Sequence, residues 1–224
     1  MIRPGKYVLA GVLALPAAGF AADGLSYSYF EADYVNLDVD AFGDEGDFID
    51  DFDNGDGWGL RGSFAFTDNW FIFGNWSETD ADTGFRNNAG LFIPSNQDVK
   101  RFDLGIGFNA PLGERLDFVA RGAYTDIDFG DFDFGGTDDD DFEDLDDDST
   151  DGFFVDAGVR AQLIDWLEGG VAARYTDLDT GSDIGIVGNL LFELNQNWGL
   201  NVEADVADDL ATYSFGVRYS FGPY

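Results

Sequence analysis

Apolar and polar residues alternate one by one through most of this chain. The pattern is plainest at the end, where Tyr213, Phe215, Val217, Tyr219 and Phe221 are separated by Ser214, Gly216, Arg218 and Ser220. Successive side chains of a strand point to opposite faces, so this spacing predicts a strand with one apolar and one polar face. The same alternation places Trp58, Leu60, Phe64 and Phe66 opposite Gly59, Arg61 and Ser63, and Phe102, Leu104, Ile106 and Phe108 opposite Asp103, Gly105 and Gly107. It recurs over Leu116–Thr125, Val155–Leu163, Leu167–Tyr175 and Leu200–Val206. Three stretches are less regular. Tyr27 to Asn36 alternates Phe30, Ala32 and Tyr34 with Tyr29, Glu31 and Asp33; Ile184 to Leu194 carries Val187 and Leu191 in its polar phase; Trp70 to Trp76 is apolar in both phases and leaves its facing open. The pattern predicts ten strands, with eight as the nearest alternative.

The connections alternate in length. Long ones run near 37–57, 77–99 and 126–151, with a shorter one near 177–183, while tight turns fall at Thr67-Asp68-Asn69, Pro111 to Arg115, Ile164-Asp165 and Asn195-Gln196-Asn197. Long loops at one end and short turns at the other are the asymmetry of outer-membrane barrels. The short connection near Ala207 to Leu210 breaks the trend.

Residues 1–21 read as a signal peptide. Arg3 and Lys6 precede an apolar run from Tyr7 to about Leu15, and Gly19-Phe20-Ala21 fits the small-x-small cleavage rule. The barrel domain is then 22–224, and export places both ends of an even-stranded barrel in the periplasm. Loss of Arg3 and Lys6 makes an already acidic chain more so.

Which face meets which solvent is decided by charge. The mean hydropathy of −0.16 is too polar for a helical membrane protein, and no apolar run reaches the roughly 18 residues of a spanning helix. A soluble sandwich with apolar residues inside and a membrane barrel with apolar residues outside remain. Six arginines, Arg61, Arg101, Arg121, Arg160, Arg174 and Arg218, all fall in the polar phase, together with Glu31, Asp33, Asp103, Asp117, Asp156, Glu168, Glu193, Glu203 and Asp205. Lysine, the usual cation of solvent-facing strands, is nearly absent. Arginine suits an enclosed polar interior, because its planar fork binds carboxylates in two places at once. A charge facing lipid would cost about 2–4 kcal/mol at midplane, and these phases put none there. Aromatics at segment ends (Tyr27, Trp58, Tyr124, Trp166, Tyr175, Trp198, Tyr213 and Phe221) fit interfacial girdles. The fold expected is therefore all-β: a transmembrane antiparallel up-and-down β-barrel with long acidic extracellular loops, residing as a monomer among outer-membrane lipid and lipopolysaccharide.

Composition excludes other functions. A net charge of −34 rules against nucleic acid. With neither Cys nor His, thiol and histidine-based nucleophiles and His-bearing zinc sites are impossible. No carboxylate pair stands out for acid–base catalysis, so no enzyme is expected.

Several motifs add a resemblance. Gly24-Leu25-Ser26-Tyr27-Ser28-Tyr29 with Glu31 and Tyr34-Val35, then Asp56-Gly57-Trp58-Gly59-Leu60-Arg61-Gly62-Ser63, Asp68-Asn69-Trp70, and Leu194-Asn195-Gln196-Asn197-Trp198-Gly199-Leu200-Asn201 occur in this order. They resemble a family of small outer-membrane barrels first described as a diffusible, Ax-type secreted factor, within the wider OmpX/OmpA-like group. The resemblance implies a barrel sometimes released with vesicles and supplies no catalytic residues; the long acidic loops depart from it. The final strand, Tyr213 to Phe221, resembles the signal read by the outer-membrane insertion machinery, with Gly222-Pro223-Tyr224 extending past the expected terminal aromatic.

The acidic loops are the candidate binding region. Fourteen acids lie between Asp126 and Asp151, including Asp138, Asp139, Asp140, Asp141, Asp146, Asp147, Asp148 and Asp151, with no base among them. Such crowding calls for screening or ligation, and carboxylate oxygens suit Ca2+ or Mg2+. Weak divalent binding is the expectation. Asp147-x-Ser149-x-Asp151-Gly152 resembles the start of a calcium loop, though Gly158 stands where a bidentate Glu belongs. Two functions follow: a structural or surface-interaction barrel whose lumen is filled by side chains, or a narrow cation-preferring channel.

Overall fold

The computed structural model describes residues 25–39, 52–86, 92–130, 148–207 and 210–221. Ten strands follow one another: β1 (Tyr29–Val39), β2 (Phe52–Ala65), β3 (Trp70–Arg86), β4 (Phe92–Gly113), β5 (Leu116–Phe129), β6 (Asp148–Ile164), β7 (Leu167–Leu178), β8 (Gly181–Glu193), β9 (Trp198–Ala207) and β10 (Leu210–Ser220). Each pairs antiparallel with its neighbours in sequence, and β10 pairs with β1 to close the barrel. Ten strands, not eight, form the cylinder. No described helix is long and apolar enough to cross a membrane, and none is needed, because a closed sheet satisfies every backbone group within itself.

The alternation resolves as read. Leu104, Val171, Ile186, Val202 and Phe215 project outward and are exposed, while Asp117 and Asn201 project inward at 0% exposure. The stretch with undecided facing is settled by glycine. Phe71 and Phe73 of β3 stand opposite Gly107 and Gly105 of β4. A Cβ at Gly107 would lie 2.1 Å from the Phe71 ring, and one at Gly105 would lie 2.6 Å from Phe73. The missing side chains let both rings lie flat inside the barrel, so Trp70 and Ile72 turn outward. Val187 and Leu191 likewise face inward and are buried.

Two expectations are corrected. The connection expected near 77–99 is mostly strand: β3 and β4 pair from Trp70↔Phe108 to Arg86↔Phe92. At 22 residues β4 is about twice the 9–11 that a tilted strand needs to span a bilayer. That length exceeds a bilayer span, and the outer part, Phe92–Gln97, carries none of the alternation that marks Phe102–Phe108. Tyr27, expected in the aromatic girdle, lies inside the barrel and is only 7% exposed.

Candidate functional site in the polar lumen

The inward phase builds a lattice of arginines and carboxylates. Some pairs join adjacent strands and lie along the wall: Arg218 donates to Glu31, Arg121 Nη2 lies 2.9 Å from Asp156 Oδ2, and Arg160 Nη2 lies 2.5 Å from Glu168 Oε2. Others reach past a neighbour. Arg174, besides binding its direct partner Asp156 on β6, reaches past β8 to Asp205 on β9, and Asn201 Nδ2 donates to Glu31 Oε1 at 3.0 Å over the intervening β10. The longest reach belongs to Arg61 on β2, whose Nη1 is 2.7 Å from Glu203 on β9, while its Nε sits 3.2 Å from Asp33 and its Nη2 donates to Ser214. Glu203 stands in the combined field of Arg61, Arg121, Arg174 and Arg218. Further along, Asp103 accepts from Thr125, from Asn75 and from Arg101. Charge-assisted bonds of this kind outweigh neutral ones, and in an enclosed setting each charge needs its partners.

Toward the short-turn end the interior becomes aromatic. Tyr27 stacks on Phe71 with centroids 5.0 Å apart, and Leu25 completes a buried cluster with them. The Arg160 guanidinium lies 4.8 Å from the centre of the Tyr27 ring; in the opposite, long-loop half of the barrel Arg174 covers Phe154 at 4.3 Å. Between the aromatic and ionic layers is a cavity of about 90 Å³ whose walls include Tyr27, Phe71, Arg121, Arg160, Glu203 and Arg218. That is space for a few waters.

Of the expected metal-binding acids, Asp138, Asp139, Asp140, Asp141, Asp146 and Asp147 lie outside the described residues. Asp148 opens β6 opposite Phe129, and Asp151 sits within β6 opposite Asp126, so it belongs to a strand, not to a loop. The strand extends this far because β5 and β6 remain in register out to Phe129↔Asp148. Among the described residues no group of three or more acids is arranged to hold a metal.

Sequence reasoning found the lattice residues but missed Leu25-Ser26-Tyr27-Ser28 as part of the interior. The signal was present: Tyr27 shares its phase with Tyr29, Glu31 and Asp33.

No curated protein matches the chain. Solved structures share its fold at low identity. The outer membrane protein OprG of Pseudomonas aeruginosa is 13% identical, with 89% of this chain and 99% of that one covered and a TM-score of 0.50. The translocator domain of the autotransporter NalP of Neisseria meningitidis is 11% identical, with 90% and 91% covered and a TM-score of 0.52. The KdgM porin is 15% identical, with 86% and 99% covered and a TM-score of 0.43. A family model, "Outer membrane protein beta-barrel domain", matches residues 7–221. With its apolar wall, its enclosed charges and this match over most of its length, the chain belongs to the outer-membrane protein β-barrel family and resides in the cell outer membrane.

Proposed function

We propose that this barrel is closed at rest and acts as a membrane-embedded platform for its acidic loops, without catalysis. The observation that carries the reading is the filled lumen: Arg61 and Glu203 meet at 2.7 Å from strands separated by two others, next to a cavity of only about 90 Å³. Small barrels of about eight strands have interiors just wide enough for their own side chains, and ten strands bearing six long arginines follow the same logic. Planar-bilayer recording tests it. The wild-type protein is expected to be silent; steady unitary currents would instead favour a narrow cation-preferring channel.

The platform's chemistry is anionic. On the outer wall beyond Trp58, Trp76 and Phe102, the acids Asp56, Asp80 and Asp98 are consecutive partners across β2, β3 and β4. A hydrogen bond to Asp98, with the nearby charges of Asp98, Glu78 and Asp56, holds the Asp80 carboxyl above the ordinary aspartate range. Crowding of this kind supports weak Ca2+ or Mg2+ binding by the loop end, including Asp138–Asp141, Asp146–Asp148 and Asp151. Calorimetry with Ca2+ at physiological ionic strength should show saturable heat, and its absence would end that part of the reading. The motif order at the chain start, in β2 and in β9 supports a place among barrels of the Ax-type group.

A further inference from the structure

The four residues before β1 are irregular backbone, yet Leu25, Ser26, Tyr27 and Ser28 are all buried. They run into the barrel instead of away from it. Irregular backbone inside a membrane barrel is tolerated only where protein or an internal cavity receives its polar groups; here Ser26 and Ser28 bond each other and Phe221, and the lumen wall supplies the rest. Ser63 Oγ on β2 donates to the Tyr27 carbonyl at 2.8 Å, and the Ala65 amide donates to Ser28 Oγ at 3.0 Å. Arg160 Nη1 on β6 donates to the Ser26 carbonyl at 2.7 Å. The Tyr27 hydroxyl donates to Asp117 Oδ2 on β5 at 2.8 Å, and its ring lies on Phe71 of β3.

This differs from the ionic lattice. Most of the lattice pairs join strands that are adjacent or one apart. The 25–28 segment springs from β1 and touches β2, β3, β5 and β6, so it crosses the mouth at the short-turn end, and Tyr27 forms part of the cavity wall. It is tied to the barrel covalently only through Tyr29, and the rest of its hold is side-chain packing and a handful of hydrogen bonds. We infer that Leu25-Ser26-Tyr27-Ser28 is a tethered plug that seals the short-turn end of the lumen and opens the internal cavity to that side when it withdraws. The inference rests on the closed-barrel reading and names the part that closes it.

The absence of cysteine makes the test clean. Ser26→Cys, nearly isosteric, is reacted with a membrane-impermeant maleimide in the refolded full chain, with Ser182→Cys at an exposed site as reference. Labelling of Ser26→Cys should be slower by at least about tenfold, since it requires local opening; equal rates would overturn the plug. Leu25→Ser with Tyr27→Ser should bring the two rates together and give steady unitary currents in planar bilayers where the parent is silent. A folded double variant that labels fast yet stays silent would overturn the sealing role and leave the closed barrel standing. A parent that conducts as the variant does would remove both. Should the double variant not fold, Tyr27→Phe takes its place, losing only the bond to Asp117. It must label Ser26→Cys faster than the parent does, and an unchanged rate counts against the plug.

Discussion

Arg61 and Glu203, 142 residues apart in sequence, join β2 to β9 over the two strands between them through a contact of 2.7 Å. Glu203 also balances Arg121, Arg174 and Arg218. Its removal takes from Arg61 its 2.7 Å partner and from Arg121, Arg174 and Arg218 a carboxylate they share, leaving excess positive charge in an enclosed space. Glu203→Ala should cost about 3–5 kcal/mol, the usual penalty for breaking a buried pair from one side. Urea titration of the refolded barrel in detergent measures this. A cost below about 1 kcal/mol would mean the lumen is wet enough to screen the arginines.

Sidedness can be tested with one residue type at two positions. Leu104 faces outward and is 57% exposed, whereas Asn75 faces inward and donates to Asp103. Leu104→Lys should destabilise the inserted barrel by about 2–4 kcal/mol if it lies near the bilayer midplane. Asn75→Lys places an ammonium beside a carboxylate and should cost much less. Equal costs would contradict an outward lipid face.

Gly107 is required by the ring above it. Gly107→Val drives a side chain into Phe71 and should cost about 1–3 kcal/mol, in the range of overpacked interiors. Phe71→Ala in the same chain should restore part of the loss. Thermal unfolding followed by gel mobility with and without boiling reads out both, and additive losses would show that the two positions do not share the space.

The acidic row on the outer wall has a pH signature. Because the folded state raises the Asp80 pKa, it prefers that carboxyl neutral, and the preference is lost as pH rises through the shifted value. Asp80→Asn should therefore raise the unfolding midpoint at neutral pH, and the difference should fade in acid. A shift independent of pH would point to a cause other than charge.

How much of this was legible in the sequence depends on what the pattern encodes. Facing is written in the alternation wherever one side meets lipid, so Val217 against Arg218 or Leu104 against Asp103 could be assigned without coordinates. The β3 stretch Trp70–Trp76 could not, because its inward aromatics are explained by glycines on another strand, Gly105 and Gly107, which periodicity within one segment does not reveal. The outer halves of β3 and β4 escaped notice for a different reason: the two-residue rhythm is missing from Thr79–Arg86 and Phe92–Gln97. Of the candidate site, the arginines and their acids were readable by phase, but their partners were not. Asn201 and Glu31 are 170 residues apart, and only the register of β9, β10 and β1 brings them together. Tyr27 was misplaced because aromatics at a segment end commonly mark an interface, while its phase with Glu31 marked the interior.

The seam between β1 and β10 has a consequence for biogenesis. Its pairs run from Tyr29↔Ser220 to Val39↔Leu210, so the first strand translated waits for the last. A nascent or truncated chain that stops short of Leu210 carries two raw edges, and each orphaned amide in hydrocarbon costs several kcal/mol. Incomplete copies are thereby rejected by the bilayer itself, and only a chain made to its end can settle there.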